Sequence, residues 1–67
     1  MNQYRMPSGN KIIGVYQVLG GRWATCERIG GSLYRVKSKA LPICDTAQEA
    51  QTVLDAWAAR WGLEAVK

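Results

Sequence analysis

The chain has 67 residues, with nine lysines and arginines, five aspartates and glutamates, and no histidine. This length predicts one domain, residues 1–67, with a thin core, because a domain of this size buries only about 60% of its unfolded surface. The missing histidine removes the commonest general base and metal ligand, and two cysteines cannot complete a four-ligand zinc site. The composition therefore predicts a protein that is not an enzyme and holds no metal or other cofactor.

Residues 1–10 are expected to form an irregular lead-in that ends in the turn-forming sequence Pro7-Ser8-Gly9-Asn10. They lack the apolar segment of a secretory signal, and the longest apolar stretch, 12–19, is far shorter than the ~20 residues of a membrane span. We therefore expect a cytoplasmic protein without membrane contact. In that compartment Cys26 and Cys44 stay reduced, and a disulfide between them is the alternative.

Three β-prone segments follow, over residues 11–38. Residues 11–19, 22–29 and 33–38 are short runs rich in β-branched and aromatic residues, which favours strands. Gly20-Gly21 and Gly30-Gly31 separate the runs, and glycine pairs supply the positive φ angles of two-residue hairpin turns. The pattern predicts a three-stranded antiparallel meander.

A connector, 39–45, leads to a helix predicted over residues 46–62. Thr46 and Glu49 have the spacing of a capping box, and Gly62 is placed to end the helix in a left-handed conformation. One apolar stripe of helical period lies between them: Ala50, Val53, Leu54, Trp57, Ala58 and Trp61. The predicted fold is α+β, a two-layer βββα arrangement with the helix covering one face of the sheet.

Alternation along the strands predicts which side chains face the helix. The small residues Ala24 and Cys26 suit the crowded side. The residues expected to face the helix are Ile13, Val15, Leu19, Ala24, Cys26, Tyr34 and Val36. The residues expected to face outward are Trp23, Thr25, Glu27, Leu33, Arg35 and Lys37. An aromatic ring would then stand among cations on the uncovered face.

Charge is unevenly distributed along the chain. Residues 1–44 hold seven basic residues and one acidic residue, a net charge of +6, whereas residues 45–67 hold two basic and four acidic residues, a net charge of −2. A cationic sheet attracts polyanions and releases counterions from their phosphates. The residues predicted to bind nucleic acid or another partner are Arg22, Trp23, Thr25, Arg28, Arg35, Lys37 and Lys39.

Three segments carry a family resemblance: Gly21-Arg22-Trp23-Ala24-Thr25, Tyr34-Arg35-Val36-Lys37-Ser38 and Asp45-Thr46-Ala47-Gln48-Glu49-Ala50. Over residues 11–61 they resemble the arm-type DNA-binding domain at the N-terminus of phage tyrosine recombinases. That family docks a three-stranded sheet in the major groove, which implicates Trp23, Thr25, Arg35 and Lys37. The chain departs from the family pattern at Cys44-Asp45, where the family has an aromatic residue before the threonine.

Two functions from different classes fit these features. The first is a stand-alone, non-catalytic module that binds duplex DNA through the basic face of the sheet. The alternative is a small protein-binding inhibitor or adaptor of the phage or mobile-element type, such as an anti-CRISPR protein, that occludes a partner surface. A homodimer through an unpaired strand edge, or through the end of the helix that carries Trp57 and Trp61, is compatible with either function.

Overall fold

The computed structural model describes residues 2–7 and 11–66, which form five strands, a short 3₁₀ turn and one α-helix. The strands are β1 (Gln3–Arg5), β2 (Ile12–Gln17), β3 (Trp23–Ile29), β4 (Ser32–Arg35) and β5 (Glu64–Val66), and the helix α1 spans Ala47–Trp61. The strands form one antiparallel sheet in the order β4-β3-β2-β1-β5. The predicted α+β class is confirmed, but the sheet has five strands where three were predicted.

The two additional strands are β1 and β5. The first lies within residues 1–10, so the prediction of an irregular lead-in is wrong for this part, while Ser8, Gly9 and Asn10 of the predicted turn lie outside the described residues. In β1, Tyr4 is paired with Ile13 of β2 on one side and with Ala65 of β5 on the other. Each additional strand is three residues long, which is too short for alternation to identify it in the sequence.

Paired glycines form both hairpin turns. Gly30 and Gly31 have φ angles of 54° and 88° between the paired residues Ile29 and Ser32, which confirms the predicted two-residue turn. The turn between β2 and β3 also contains two glycines with positive φ, but its loop has three residues, Leu19–Gly21. A hydrogen bond of 2.8 Å from the Val18 amide to the Arg22 carbonyl closes it. Leu19 at this turn is 98% exposed, so its predicted place in the core is wrong.

The ends of α1 agree with the sequence pattern. The Thr46 hydroxyl accepts a hydrogen bond of 3.1 Å from the Glu49 amide, which satisfies one of the free donors of the first turn. The same hydroxyl contacts the Glu49 carboxylate at 3.1 Å, in place of the reciprocal bond to the Thr46 amide. At the other end Gly62 is left-handed, with φ 64°, and the Leu63 amide donates to the Ala58 carbonyl at 2.9 Å.

The core lies between α1 and one face of the sheet, which we call the covered face. Its buried cluster contains Tyr4 from β1, Ile13 from β2, Leu54 and Ala58 from α1, and Leu41 from the connector. Leu41 is 1% exposed, and a hydrogen bond of 3.1 Å from its amide to the Ser38 carbonyl closes the turn that directs it inward. The connector is therefore part of the core, which its sequence did not indicate.

A polar network joins β1 to the helix. The Tyr4 hydroxyl donates a hydrogen bond of 2.7 Å to Asp55 Oδ1, and Gln51 Nε2 donates to the same oxygen at 2.8 Å and to the Asn2 carbonyl at 3.1 Å. The hydrogen bond to Asp55 and, secondarily, burial raise the pKa of the Tyr4 hydroxyl above its usual value. The network therefore fixes a three-residue strand to the long helix.

The register of the strands corrects the predicted orientation of β3. Paired residues of an antiparallel sheet share a face, and Thr25 is paired with Val15, which packs against the core. Thr25 is 3% exposed. Trp23 and Glu27 share its face by alternation, so all three face the helix side and the prediction that they point outward is wrong.

Ala24 and Cys26 face away from the helix, contrary to prediction. They are nevertheless buried, 0% and 3% exposed. Both belong to the face of β3 opposite Thr25, where Tyr16 and Arg35 are their pairing partners. Small size correctly predicted that they are buried, but it does not specify on which side of the sheet.

Substitution of Leu41 tests the contribution of the connector to the core. We expect Leu41→Ala to lower the free energy of unfolding by about 2 to 5 kcal/mol, because it removes a fully buried side chain and leaves a cavity. Urea unfolding followed by tryptophan fluorescence measures the change. The matched control, Leu19→Ala, alters the same residue type at a 98% exposed site and is expected to change stability by less than about 0.5 kcal/mol. Equal effects of the two substitutions would contradict the packing of Leu41.

The Tyr4–Asp55 hydrogen bond makes stability depend on alkaline pH. Because the pKa of Tyr4 is raised in the folded state, its contribution is fully present below about pH 10, the unfolded value, and is lost as pH rises above it. Tyr4→Phe is expected to cost about 1 to 2 kcal/mol at neutral pH, and the difference from the wild type should shrink above about pH 10. Urea titrations across this pH range measure it, with the exposed Tyr34→Phe as control. A difference that stays constant with pH would contradict this linkage.

Candidate nucleic-acid interface

The face of the sheet opposite α1 is defined by the strand register. One row across the sheet contains Glu64, Arg5, Ile12, Arg28 and Leu33, each paired with the next. A second row contains Gly14, Cys26 and Arg35, and a third pairs Tyr16 with Ala24. We call these residues, together with Gln3, the open face. It crosses all five strands and carries three arginines, Arg5, Arg28 and Arg35.

Small residues form the centre of the open face, and longer neighbours cover them. Gln3 Nε2 donates a hydrogen bond of 3.0 Å to the Tyr16 hydroxyl, and a Cβ atom at Gly14 would lie 3.0 Å from Gln3 Cγ. Glycine at position 14 therefore allows the Gln3 side chain to lie close against the sheet. The three arginines of the open face lie outside this centre. Arg5 and Arg28 belong to the first row, and Arg35 lies on β4.

A groove adjoins the open face beside the end of β4. It has a volume of about 570 Å³ and is lined by Arg35, Lys37, Ser38, Lys39, Pro42 and Ile43. We call it the basic groove. The connector forms it by leaving the sheet after Val36, whose amide donates to the Thr25 carbonyl at 3.0 Å, and returning at Cys44, which exchanges hydrogen bonds of 2.7 and 2.8 Å with Trp23. Three cations thereby line one depression.

The structure brings together four of the seven predicted binding residues. Arg28 and Arg35 lie on the open face, and Lys37 and Lys39 line the basic groove with Arg35. Arg22 stands apart in the turn before β3, where its Nε lies 3.6 Å from Asp45 Oδ1.

The other two predicted residues lie on the opposite side of the sheet. Trp23 is half-buried and paired with Gln17, and Thr25 is buried. The pattern predicted from alternation, an exposed tryptophan among cations, is therefore absent from the open face as described over residues 2–7 and 11–66.

Sequence reasoning missed Arg5 and Tyr16 on the open face. Arg5 lies in β1, which was expected to be irregular, and no signal in three residues places it beside Ile12. Tyr16 could have been found, because Ile13 and Val15 were correctly predicted to face the core and alternation then directs Tyr16 to the other face.

Within the described residues, the cations that line the basic groove form no salt bridge. Between them, residues 2–7 and 11–66 form two salt bridges, Lys11–Glu27 at 3.4 Å and Arg22–Asp45 at 3.6 Å. Neither includes Arg28 or any residue that lines the groove. The acidic side chain of the open face, Glu64, is paired in register with Arg5, across the sheet from β4. The β4 side of the open face therefore has a local excess of positive charge.

Residues 2–7 and 11–66 contain no group of three or more histidine, cysteine, aspartate or glutamate side chains able to hold a metal ion. Both cysteines are free thiols. Burial raises the pKa of the Cys26 thiol, and the nearby Arg35 guanidinium opposes that shift. A buried thiol with a raised pKa is a poor nucleophile.

Comparison with known proteins gives no relative: no protein-family model, curated protein or solved structure matches the chain. Within the described part of the chain, α1 is too short and too polar to cross a membrane.

The two thiols are expected to differ in reactivity. At neutral pH iodoacetamide should modify Cys44 before Cys26, because Cys26 is 3% exposed and its pKa is raised, whereas Cys44 is only partly buried. Intact-mass spectrometry and peptide mapping measure the order of labelling. In urea both residues should react at similar rates, which controls for intrinsic reactivity. Equal rates in the folded protein would contradict the burial of Cys26.

Proposed function

We propose that the chain is a non-catalytic nucleic-acid-binding module that holds the phosphate backbone of duplex DNA against its open face and basic groove. The observation that carries this proposal is the convergence of Arg35, Lys37 and Lys39 on one groove, next to Arg28. None of these four residues forms a salt bridge within residues 2–7 and 11–66.

Phosphate is the ligand that such a surface suits best. Lysine and arginine side chains that neutralise phosphates release condensed counterions, and this release supplies most of the affinity of sequence-independent DNA binding. Arg35 can also form two parallel hydrogen bonds to one phosphate, and Lys37 and Lys39 act as mobile point charges beside it. The net charge of +6 in residues 1–44 adds long-range attraction.

The open face favours a duplex over a single strand. Proteins that bind single strands provide aromatic rings on which successive bases stack. In the described residues, Tyr16 is the one aromatic side chain of the open face, and its hydroxyl is hydrogen-bonded to Gln3. Trp23 lies on the covered face. A surface with several cations and one tethered ring suits backbone contacts more than base stacking.

The resemblance to arm-type domains supports the same proposal. Those domains place a sheet in the major groove, which is wide enough for a two-stranded ribbon. In this chain the corresponding ribbon would be β3 and β4, with Arg28 and Arg35 toward the DNA. Trp23 and Thr25, which the resemblance also implicated, do not contribute to the proposed surface.

Salt dependence of binding tests the proposed surface. For a duplex of mixed sequence, Arg35→Ala and Lys37→Ala should each weaken binding and reduce the slope of log K against log [salt] by about 0.9, the value for one lost phosphate contact. Fluorescence anisotropy over a salt series measures both quantities. Arg60→Ala is the matched control, because it removes the same charge from the last turn of α1, which lies on the covered side of the sheet and does not line the basic groove, and it should leave the slope unchanged.

Two outcomes would contradict the proposal. The first is equal loss of slope in the Arg60 variant, which would indicate a response to net charge alone. The second is no binding to any duplex at low salt. If, in addition, a protein partner is recovered from host lysate after nuclease treatment and is lost in the Arg35 variant, the inhibitor function would replace DNA binding.

A further inference from the structure

The outer edge of β4 is an unpaired strand edge with apolar side chains on both of its faces. All four residues of β4 are exposed, and in the described sheet β4 is paired with β3 alone. Leu33 is 47% exposed on the open face, and Tyr34 is 55% exposed on the other face, beside Ile29 at 46%. Exposed, unprotected strand edges are templates for pairing with another strand.

The register shows which backbone groups of β4 point away from the sheet. The Val36 amide donates to the Thr25 carbonyl, so Val36 faces β3. In an antiparallel ladder, alternate residues face the neighbouring strand. Ser32 and Tyr34 therefore also face β3, and the amide and carbonyl groups of Leu33 and Arg35 point outward.

We propose that this edge pairs with the same edge of a second copy of the chain, in antiparallel orientation about a two-fold axis at Tyr34. Leu33 of each copy then lies opposite Arg35 of the other, and their outward amides and carbonyls bond reciprocally. The two sheets become one continuous sheet, with both helices on the same side. This inference concerns the backbone edge of β4 and does not depend on DNA binding.

Charge and hydrogen bonding select this register over its neighbours. A two-fold axis at Arg35 would place two guanidinium groups opposite each other, which is unfavourable. An axis at Leu33 would place Arg35 opposite Gly31 in the hairpin turn, where φ is 88° and the ladder has ended. With the axis at Tyr34, the alkyl part of Arg35 lies against Leu33 and the two tyrosine rings are adjacent.

The other edge of the sheet is less suited to pairing. β5 is one residue shorter than β4, and its exposed residues, Glu64 and Ala65, include no large apolar side chain comparable to Leu33 or Tyr34. The β4 contact is itself short, and stable interfaces bury roughly 1,200 to 2,000 Å². We therefore expect a weak dimer that dissociates on dilution.

Sedimentation velocity in the absence of nucleic acid tests for association. The weight-average mass should rise with concentration from the 7.4 kDa of the monomer toward twice that value. Leu33→Lys places a charge opposite Arg35 of the other copy and should abolish the rise, while Leu19→Lys, at a fully exposed turn site, should not. Far-ultraviolet circular dichroism confirms that both variants fold. A wild type that stays monomeric at every concentration, or that assembles beyond a dimer, would overturn the proposal.

Disulfide cross-linking tests the register itself. In a Cys44→Ser background, Tyr34→Cys places two thiols at a non-hydrogen-bonded pair on the axis, where Cα atoms lie about 4.5 Å apart and a disulfide can close. Mild oxidation should give a covalent dimer on a non-reducing gel. The matched variant Leu33→Cys lies opposite Arg35 and should cross-link much less. Preferential cross-linking of the Leu33 variant, or none in either, would overturn the proposed register.

Discussion

The burial of Leu54 against the sheet is the contact on which the rest of the structure depends. This side chain is 0% exposed and belongs to a cluster that takes Tyr4 from β1, Ile13 from β2 and Leu41 from the connector. Three other segments of the chain therefore meet at one turn of α1. In so small a domain, residues 2–7 and 11–66 bury one such hydrophobic cluster, so loss of this packing would weaken the attachment of β1 and of the connector together.

One-sided packing explains why the cations lie where they do. Because α1 packs on one face of the sheet, residues on the opposite face are shielded from water without a second layer of apolar side chains. The small residues Ala24 and Cys26 at the centre of this face are buried, and their partners in the neighbouring strands are the long residues Tyr16 and Arg35. An arginine can serve this purpose because its alkyl part packs against the sheet while its guanidinium reaches water. The same side chains that shield the strands thus present the charge proposed to contact phosphate.

The sequence predicted the elements with strong local chemistry and missed those that depend on distant contacts. Glycine pairs and the Thr46 cap define turns and a helix end within a few residues, so both were found. β1, β5 and the burial of Leu41 depend on partners far away in the chain. On β3, the small size of Ala24 and Cys26 predicted that they face the helix, but both are buried on the opposite face. Trp23 was therefore wrongly predicted to lie on the open face. The charges of Arg28, Arg35, Lys37 and Lys39 cluster in the sequence, and the structure also places these residues near one another.

The position of β1 has a consequence for the order in which the protein folds. The meander of β2, β3 and β4 needs only local hairpin contacts, whereas β1 is held between β2 and β5, and its bond from Tyr4 to Asp55 spans 51 residues. Closing such a long loop is entropically costly until the helix is docked. β1 and β5 should therefore join the sheet last during folding and separate from it first. Their amide protons should exchange together and faster than those of β2, β3 and β4.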